Sequence, residues 1–492
     1  MNHAPPDGRE LDLAHALDLA PSIEKTPVHL RDAYGHFIDG AFVEGTSGHT
    51  FPTHNPATGK VLSTIAAASE AEVDAAVRAA RKAFEGPWGR LSPLDRGKYL
   101  YRIARRLQER SRELAVVETM DNGKPIRETR DIDVPQAANH FFYYAGWADK
   151  LDYATPGRRA RPIGVAGQVI PWNFPLLMLA WKIAPALAAG NTVVLKPAQT
   201  TPLTAMLFAE ICQEVDLPPG VVNLINGEGP TGAHLVKHPG IDKVAFTGST
   251  PVGRGILQAV AGTRKKVTLE LGGKGAHILF ADADLDQAVD GVVDGIFFNQ
   301  GHVCCAGSRL LVEESVADDV IQRLRRRVLT LRVGDPLDKN TDVGAINSEA
   351  QHHRVQRYID IGREEGAEVW QGSACELPTT GLFIKPTILT GVQMSDTVAR
   401  EEIFGPVLSV LTFRTPDEAI LKANDSEFGL AAGVWSEKTS RLFKVAHALN
   451  AGVVWANGYN LFDPSSPFGG VRHSGFGREG GIHGLWPYLE VA

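Results

Sequence analysis

Cysteine is scarce in this 492-residue chain, which has only Cys212, Cys304, Cys305 and Cys375. Four cysteines are far too few for a disulfide framework in a chain of this length, and neighbours such as Cys304 and Cys305 rarely pair with each other. A reducing, cytoplasmic location is therefore expected. The chain also lacks the roughly 18 consecutive apolar residues of a membrane-spanning helix. Residues 1–17 lack the cationic start and the apolar core of a secretory signal.

An excess of basic residues is absent as well. Lysine and arginine number 50 against 57 acidic residues, so the formal net charge is −7. This balance argues against nucleic acid or an anionic membrane as the main partner. The 43% of hydrophobic and 22% of charged residues are typical of a soluble globular protein with a sizeable core.

The pattern along the chain predicts an α/β protein. Residues 1–33 are polar and weakly periodic and are expected to form an arm, whereas apolar residues at helical spacing predict helices at 71–84, 96–120 and 132–147. Strands are then predicted at 163–170, 192–196, 221–225 and 242–248, and helices at 177–189, 204–215 and 252–261. This alternation favours a parallel sheet covered by helices on both faces. A second α/β stretch runs from 273 to about 467, so we expect two interleaved lobes.

Two segments indicate cofactor binding, although each also has a purely structural interpretation. Gly248 and Gly253 stand between a strand and a helix, with a wider spacing than the usual dinucleotide fingerprint. The helix N-terminus and the Ser249 hydroxyl can donate hydrogen bonds to a pyrophosphate, but a glycine turn with a serine cap explains the segment too. Lys196 ends a strand, where ligands gather in doubly wound sheets, or is a solvated lysine before a proline turn.

Three further segments carry reactive or polar side chains. Glu270 lies within an apolar strand, either as a paired structural ion or as a base whose pKa is raised by burial. Cys304 follows a glycine without an evident activating neighbour, and such a cysteine is more often inert core. Asn173 lies between two prolines in PWNFP, a stiff frame that could aim its amide at an oxyanion or could simply form a turn.

The order of the motifs resolves these alternatives. PWNFP, LKPA, FTGST, LELGG, G-x-x-C, EEIFGP and SPFGG follow one another as in the aldehyde dehydrogenase superfamily, and the chain resembles that superfamily over residues 34–485. The resemblance implies a Rossmann-like cofactor domain (34–145 and 162–272) and an α/β catalytic domain (273–475). It further implies a shortened bridging segment (146–161), which is a reduced oligomerisation hairpin, and a C-terminal return to the cofactor domain (476–492).

The resemblance also implies roles for individual residues. Cys304 matches the nucleophile and Cys305 its unreactive neighbour, Glu270 the general base, and Asn173 the oxyanion donor. A proton path out of the site is implied for two residues, Lys182 and Glu479. Cofactor contacts are implied for Trp172, Lys196, Gln199, Gly229, Pro230, Gly248, Ser249, Gly253, Leu271, Glu402 and Phe404. The substrate tunnel is expected to be lined by Phe174, Met178, Trp181, Phe298, Val303, Phe462 and Phe468.

The implied activity is oxidation of an aldehyde to the acid with NAD, through a Cys304 thioester that is hydrolysed by water. The aromatic lining favours uncharged aliphatic or aromatic aldehydes, although Asp463 and Asp294 leave an amino-aldehyde open. No metal site is predicted. A CoA-acylating enzyme and a catalytically weak scaffold protein are the alternatives, and the presence of Glu270, Cys304 and Asn173 counts against both.

Two residues depart from the family pattern. Gln199 stands where NAD-preferring relatives usually carry glutamate, which weakens repulsion of a 2′-phosphate and leaves NADP use open. His302 stands in place of a glutamine, either to tune the thiolate or as a loop side chain that points away from it.

The assembly module also departs from the pattern. The bridge between residues 150 and 162 is short, and RETRDIDVP and FGREGG resemble the first half of the tandem, two-domain aldehyde dehydrogenases. A homodimer or a monomer is therefore expected rather than the standard tetramer.

Overall fold

Two large sheets organise the computed structural model, which describes residues 20–491. Of the predicted arm, residues 1–19 lie outside the described residues. The first sheet has eight strands, in the order Gly475–Phe476, Lys266–Glu270, Lys243–Thr247, Val165–Val169, Thr192–Lys196, Val222–Leu224, His36–Ile38 and Ala41–Val43. The second has seven strands, in the order Glu368–Gln371, Thr387–Thr390, Val407–Phe413, Arg309–Glu313, Ala276–Leu279, Ala431–Trp435 and Val453–Ala456.

The central strands of both sheets are parallel and mostly buried. Thr192–Lys196 and Lys243–Thr247 are buried at every position, as expected for strands covered by helices on both faces. Both flank Val165–Val169, where Val169 pairs with Lys196 on one side and with Phe246 on the other. The carboxyl ends of these strands therefore lie together at one edge of the sheet, and the fold-class prediction is confirmed.

The helices surround these sheets. Those of eight or more residues are Glu70–Glu85, Pro93–Glu109, Ser111–Asn122, Val134–Trp147, Pro175–Ala188, Leu203–Glu214, Gly229–Lys237, Thr250–Val260, Leu285–Phe297, Ala317–Val328, Glu349–Glu364, Pro416–Asn424 and Thr439–Ala448. Shorter helices span Pro87–Arg90, Ile126–Glu128, Leu151–Ala154 and Thr397–Arg400. Within residues 20–491, none of the helices combines the length and the apolar character needed to cross a bilayer.

Most of the sequence-predicted elements are confirmed, with two differences. The helix expected over 96–120 is two helices that meet at Arg110, whose backbone (φ −95°, ψ 14°) leaves the helical region. The helix expected from 132 starts at Val134 and follows a π-helical stretch, Thr129–Asp133. Pro135 lacks a backbone N–H, which favours its position in the first turn of a helix.

The described residues also form two small sheets. Thr50–His54, Val61–Ala66 and Ala33–Tyr34 form one of them, and Leu489–Val491 pairs antiparallel with Ala160–Pro162 in the other. Upstream, Gly475 pairs with Glu270 at the end of its strand. The C-terminal segment thus returns to the strand that carries the predicted base.

Candidate active site

A left-handed turn places Cys304. The helix Leu285–Phe297 ends in a turn where Asn299, Gln300 and Gly301 have φ of 47°, 53° and 74°. Glycine is required at 301 because a Cβ there would collide with the backbone of Gly405. Asn299 and Gln300 adopt the same left-handed conformation, which costs free energy at a residue with a side chain. Their hydrogen bonds offset this cost.

Those hydrogen bonds come from three separate parts of the chain. The Asn299 N–H donates to Glu128 Oε2 at 3.0 Å, and its side-chain amide donates to the Asn173 carbonyl at 2.8 Å. The Gln300 amide donates to the Ala345 carbonyl at 3.1 Å. The turn is therefore held by three segments that lie far apart in the chain.

The two adjacent cysteines differ in environment. Cys304 is half-buried, whereas Cys305 is only 2% exposed and its carbonyl accepts a hydrogen bond from the Tyr459 hydroxyl at 2.7 Å. The neighbouring Cys305 thiol and burial raise the pKa of the Cys304 thiol well above its usual value. Cys304 thus rests as a neutral thiol in the ligand-free site and needs a base to become nucleophilic.

Two cavities meet at Cys304. One has a volume of about 520 Å³ and the other about 330 Å³, and both are lined by Asn173, Thr247, Glu270 and Cys304. The larger cavity is also lined by all seven predicted tunnel residues, which are Phe174, Met178, Trp181, Phe298, Val303, Phe462 and Phe468. Asp463 lies on its wall too, whereas Asp294 lies outside its lining.

Most of the predicted cofactor residues line the smaller cavity. It is lined by Trp172, Gly248, Ser249, Leu271, Glu402 and Phe404. Its residues Phe246 and Val252 also line a third cavity of about 350 Å³, which contains Lys196 and Gly229. Pro230 and Gly253 directly follow lining residues, and Gln199 is exposed beside Ala198.

The Asn173 amide lies over the nucleophile loop. Its Nδ2 donates to the His302 carbonyl at 2.8 Å, and the side chain is buried. An amide nitrogen has two hydrogens, so one remains for a ligand in the cavities that Asn173 lines. The PWNFP frame thus aims a donor at the space next to Cys304.

Glu270 is a buried carboxyl at the end of its strand. It is 4% exposed, and neither of its oxygens has a hydrogen-bond partner within residues 20–491. Burial, followed by the charge of Glu479, raises the pKa of Glu270 well above its usual value. Lys182 Nζ pairs with Glu479 and donates to Thr247 Oγ1 at 2.7 Å. Glu479, Lys182 and Thr247 are thus linked by hydrogen bonds beside Glu270.

His302 lies away from the thiol, on the side of the smaller cavity. Its ring centroid is 4.8 Å from that of Trp172 and 5.9 Å from that of Phe404. Burial and the charge of Lys124 lower its pKa to about 3, so the ring is neutral. This favours the expectation that His302 points away from Cys304, because the ring is fully buried against Trp172 and Phe404, which line the smaller cavity.

The two smaller cavities fit a dinucleotide. Lys196 is buried at a strand end, where burial lowers its pKa to about 8. Ser249 starts the helix Thr250–Val260 without a capping hydrogen bond from its side chain, so its hydroxyl is available to a ligand. The Gly273 N–H donates to Glu402 Oε1 at 2.8 Å, which holds that carboxyl against the smaller cavity.

Comparison with known proteins agrees with this geometry. The sequence model of the aldehyde dehydrogenase family matches residues 42–492. The chain is 47% identical to an aldehyde dehydrogenase of Aspergillus niger, with 93% of this chain and 94% of that protein covered. It is 44% identical to the mitochondrial aldehyde dehydrogenase of Homo sapiens over 98% and 95% of the two chains.

The chain belongs to the aldehyde dehydrogenase family. The structure of the NAD⁺ complex of the Bacillus cereus aldehyde dehydrogenase has a TM-score of 0.90 and 44% identity, covering 94% of this chain and 96% of that one. The resemblance inferred from the seven motifs is confirmed, and the protein is an NAD(P)-dependent enzyme that oxidises aldehydes.

Sequence reasoning about this aldehyde dehydrogenase missed several residues at the site. Thr247 belongs to the FTGST motif, and Asn299 lies in the segment that precedes Cys304, so position alone could have found both. Gln351 holds the left-handed residue Phe404 by donating to its carbonyl at 2.7 Å. Glu128 and Gln351 carry no local signal, because each lies far along the chain from the loop it supports.

The raised pKa of Glu128 predicts how the stability of the folded enzyme changes with pH. Burial raises its pKa to about 8, so between about pH 4.5 and 8 the folded state holds a proton that the unfolded state releases. Stability therefore falls as pH rises through this window. We expect Glu128→Gln, whose amide oxygen can still accept from Asn299, to show a smaller decrease in Tm between pH 6.5 and 8 than the parent enzyme.

The matched control is Glu349→Gln, which removes the same charge from an exposed position. Its Tm should follow the parent's pH dependence. Parallel curves for Glu128→Gln and the parent would show that Glu128 is not protonated in the folded enzyme.

Proposed function

We propose that this aldehyde dehydrogenase oxidises uncharged aliphatic or aromatic aldehydes to acids through a thioester on Cys304. The observation that supports this most is the junction of two cavities at a thiol, a buried carboxyl and an amide donor. The larger, aromatic cavity would hold the aldehyde and the smaller one the nicotinamide end of the cofactor.

The first step is addition of the Cys304 thiolate to the aldehyde carbon. Glu270 is the base that lines both cavities with Cys304, and its raised pKa suits it to accept the thiol proton. Asn173 Nδ2 and the Cys304 backbone N–H would hold the developing oxyanion. Removing one such donor typically costs about 3 kcal/mol of transition-state stabilisation.

The second half of the reaction converts the thiohemiacetal to the acid. The chemistry that NAD(P) supplies when bound is acceptance of hydride from the former aldehyde carbon. After the thiol proton has left Glu270, the carboxylate removes a proton from the water that attacks the resulting Cys304 thioester, and the acid is released as the Cys304 thiolate leaves. Glu479 and Lys182 offer a route by which that proton leaves the buried site. A carboxyl at the thioester favours hydrolysis over transfer of the acyl group to CoA.

NAD is the expected cofactor, and the neutral Gln199 leaves room for NADP. Asp463 is exposed at the edge of the larger cavity, where its carboxylate accepts from the Ser465 N–H at 2.8 Å.

A homodimer, rather than a standard tetramer, and a cytoplasmic location remain predictions. The Homo sapiens relative is named as mitochondrial.

The nucleophile assignment is tested by replacing each cysteine. We expect Cys304→Ala to abolish aldehyde-dependent NADH formation, because the buried Cys305 thiol cannot substitute for it. Cys305→Ala, the matched control, should keep most of the activity. Loss of activity in Cys305→Ala alone would contradict the assignment.

The base assignment is tested by Glu270→Gln, which keeps the shape of the side chain. We expect kcat to fall about 100-fold, within the range usual for loss of general base catalysis, while fluorescence titration shows unchanged NADH binding. An unchanged steady-state rate would exclude Glu270 as the base.

Cofactor preference is tested at Gln199. We expect Gln199→Glu to lower the ratio of kcat/KM for NADP over NAD by about tenfold, because a carboxylate repels the 2′-phosphate. The neutral control Gln199→Met should leave this ratio nearly unchanged. Equal ratios in both variants would place the adenosine ribose away from this residue.

A further inference from the structure

One wall of the larger cavity is polar, although the sequence favoured an apolar lining. Asp133, Gln136 and His140 all line this cavity. They stand at the end of the π-helical stretch and on the helix Val134–Trp147, at positions i, i+3 and i+7, which share one helix face. Trp181 and Phe468 line the same cavity.

Each of these three residues has a buried polar atom without a protein partner. Within residues 20–491, Asp133 Oδ1, Gln136 Oε1 and His140 Nδ1 make no hydrogen bond. Leaving such atoms unsatisfied destabilises the folded protein, because they have lost their hydrogen bonds to water. Three on one face of one helix, all at the same cavity, indicate that partners come from what the cavity binds.

The three polar residues of this helix face carry no free charge, and the exposed Asp463 carboxylate at the edge of the cavity accepts from the Ser465 N–H and hydroxyl. Asp133 is fully buried and its Oδ2 accepts from Lys124 Nζ at 2.5 Å, while that ammonium lies 3.9 Å from the centre of the Phe174 ring. Burial lowers the pKa of His140 to about 3, so its imidazole is neutral. The wall therefore suits an uncharged hydrogen-bonding group better than an ammonium or a carboxylate.

Trp181, which packs beside His140, supplies a complementary donor. Trp181 Nε1 is buried without a partner within residues 20–491, and the ring centroid of Trp181 lies 5.2 Å from that of His140. The side-chain oxygens of Asp133 and Gln136 can only accept, whereas the indole N–H can only donate. A hydroxyl group, which donates and accepts at once, satisfies both the acceptors and the donor.

We propose that the larger cavity selects aldehydes that carry a hydroxyl group remote from the carbonyl, and that Gln136 and His140 determine this preference. The proposal rests on the proposed function, since it assumes that the aldehyde carbon lies at Cys304. The aromatic side chains still bind the hydrocarbon part between the two polar ends.

The test compares each hydroxy-aldehyde with its methyl isostere, using NAD and the intact enzyme. The pairs are 6-hydroxyhexanal with heptanal, and 4-hydroxyphenylacetaldehyde with 4-methylphenylacetaldehyde. The measured quantity is the ratio of kcat/KM within a pair. We expect the parent enzyme to favour the hydroxylated member of at least one pair about threefold to tenfold, the value of one or more neutral hydrogen bonds.

Variants of the polar residues then show which side chains cause the preference for the hydroxylated aldehyde. Gln136→Leu and His140→Leu should each bring the ratio close to one, whereas His140→Asn, which keeps a hydrogen-bonding group, should retain part of it. Met178→Leu is the matched control, because it alters the same cavity with an apolar residue of similar volume and should leave the ratio unchanged.

The outcomes separate the two proposals. If the parent enzyme oxidises the methyl isosteres as fast as the hydroxylated aldehydes or faster in both pairs, the hydroxyl preference is wrong, and this result needs no variant. A preference for 6-aminohexanal over 6-hydroxyhexanal would also overturn it, since it would indicate a charge-selective wall. If none of these aldehydes is oxidised by the parent enzyme, the proposed function itself fails.

Discussion

Three consecutive residues with positive φ, Asn299, Gln300 and Gly301, determine where the reactive thiol lies. Left-handed backbone costs about 1–2 kcal/mol at a residue with a side chain, so the turn persists only because neighbours support it. Glu128 and Asn173 supply that support from separate parts of the chain. The same contacts that hold the turn therefore also fix Cys304 relative to the amide that is proposed to stabilise the oxyanion.

The polar groups around the thiol depend on a second constraint, which is burial. Glu270 ends a strand of the eight-stranded sheet and pairs there with Gly475, and the chain then continues to Glu479. Glu479 exchanges backbone hydrogen bonds with Phe468, so its carboxylate stays close to Glu270 and Lys182. Low exposure and a neighbouring negative charge together raise the pKa of Glu270, and a carboxyl of this kind is suited to take up protons near neutral pH.

The larger cavity combines two kinds of wall. Its aromatic side chains supply apolar surface. The helix face of Asp133, Gln136 and His140 leaves polar atoms without partners. A site that hydrogen-bonds a hydroxyl discriminates strongly against an analogue that lacks it, because the buried polar atoms are then left unpaired. In the proposed selection it is therefore this wall, rather than the aromatic side chains, that distinguishes a hydroxylated aldehyde from its apolar analogue.

Sequence patterns alone predicted the family, the cofactor and the strands at 192–196 and 242–248, because β-branched runs between turns and an ordered set of motifs are local signals. They also pointed to Cys304, Glu270, Asn173 and the seven tunnel residues. Only the tertiary structure decided which polar residues join them. Glu128, Gln136 and His140 carry no signal of their own in the sequence, and they become site residues only through packing. Glu128 meets Asn299, 171 residues further along the chain, Gln136 meets Phe462, 326 residues further along, and His140 packs against Trp181 of another helix. The environment that removes water from their polar atoms, or shifts their pKa, exists only after that packing.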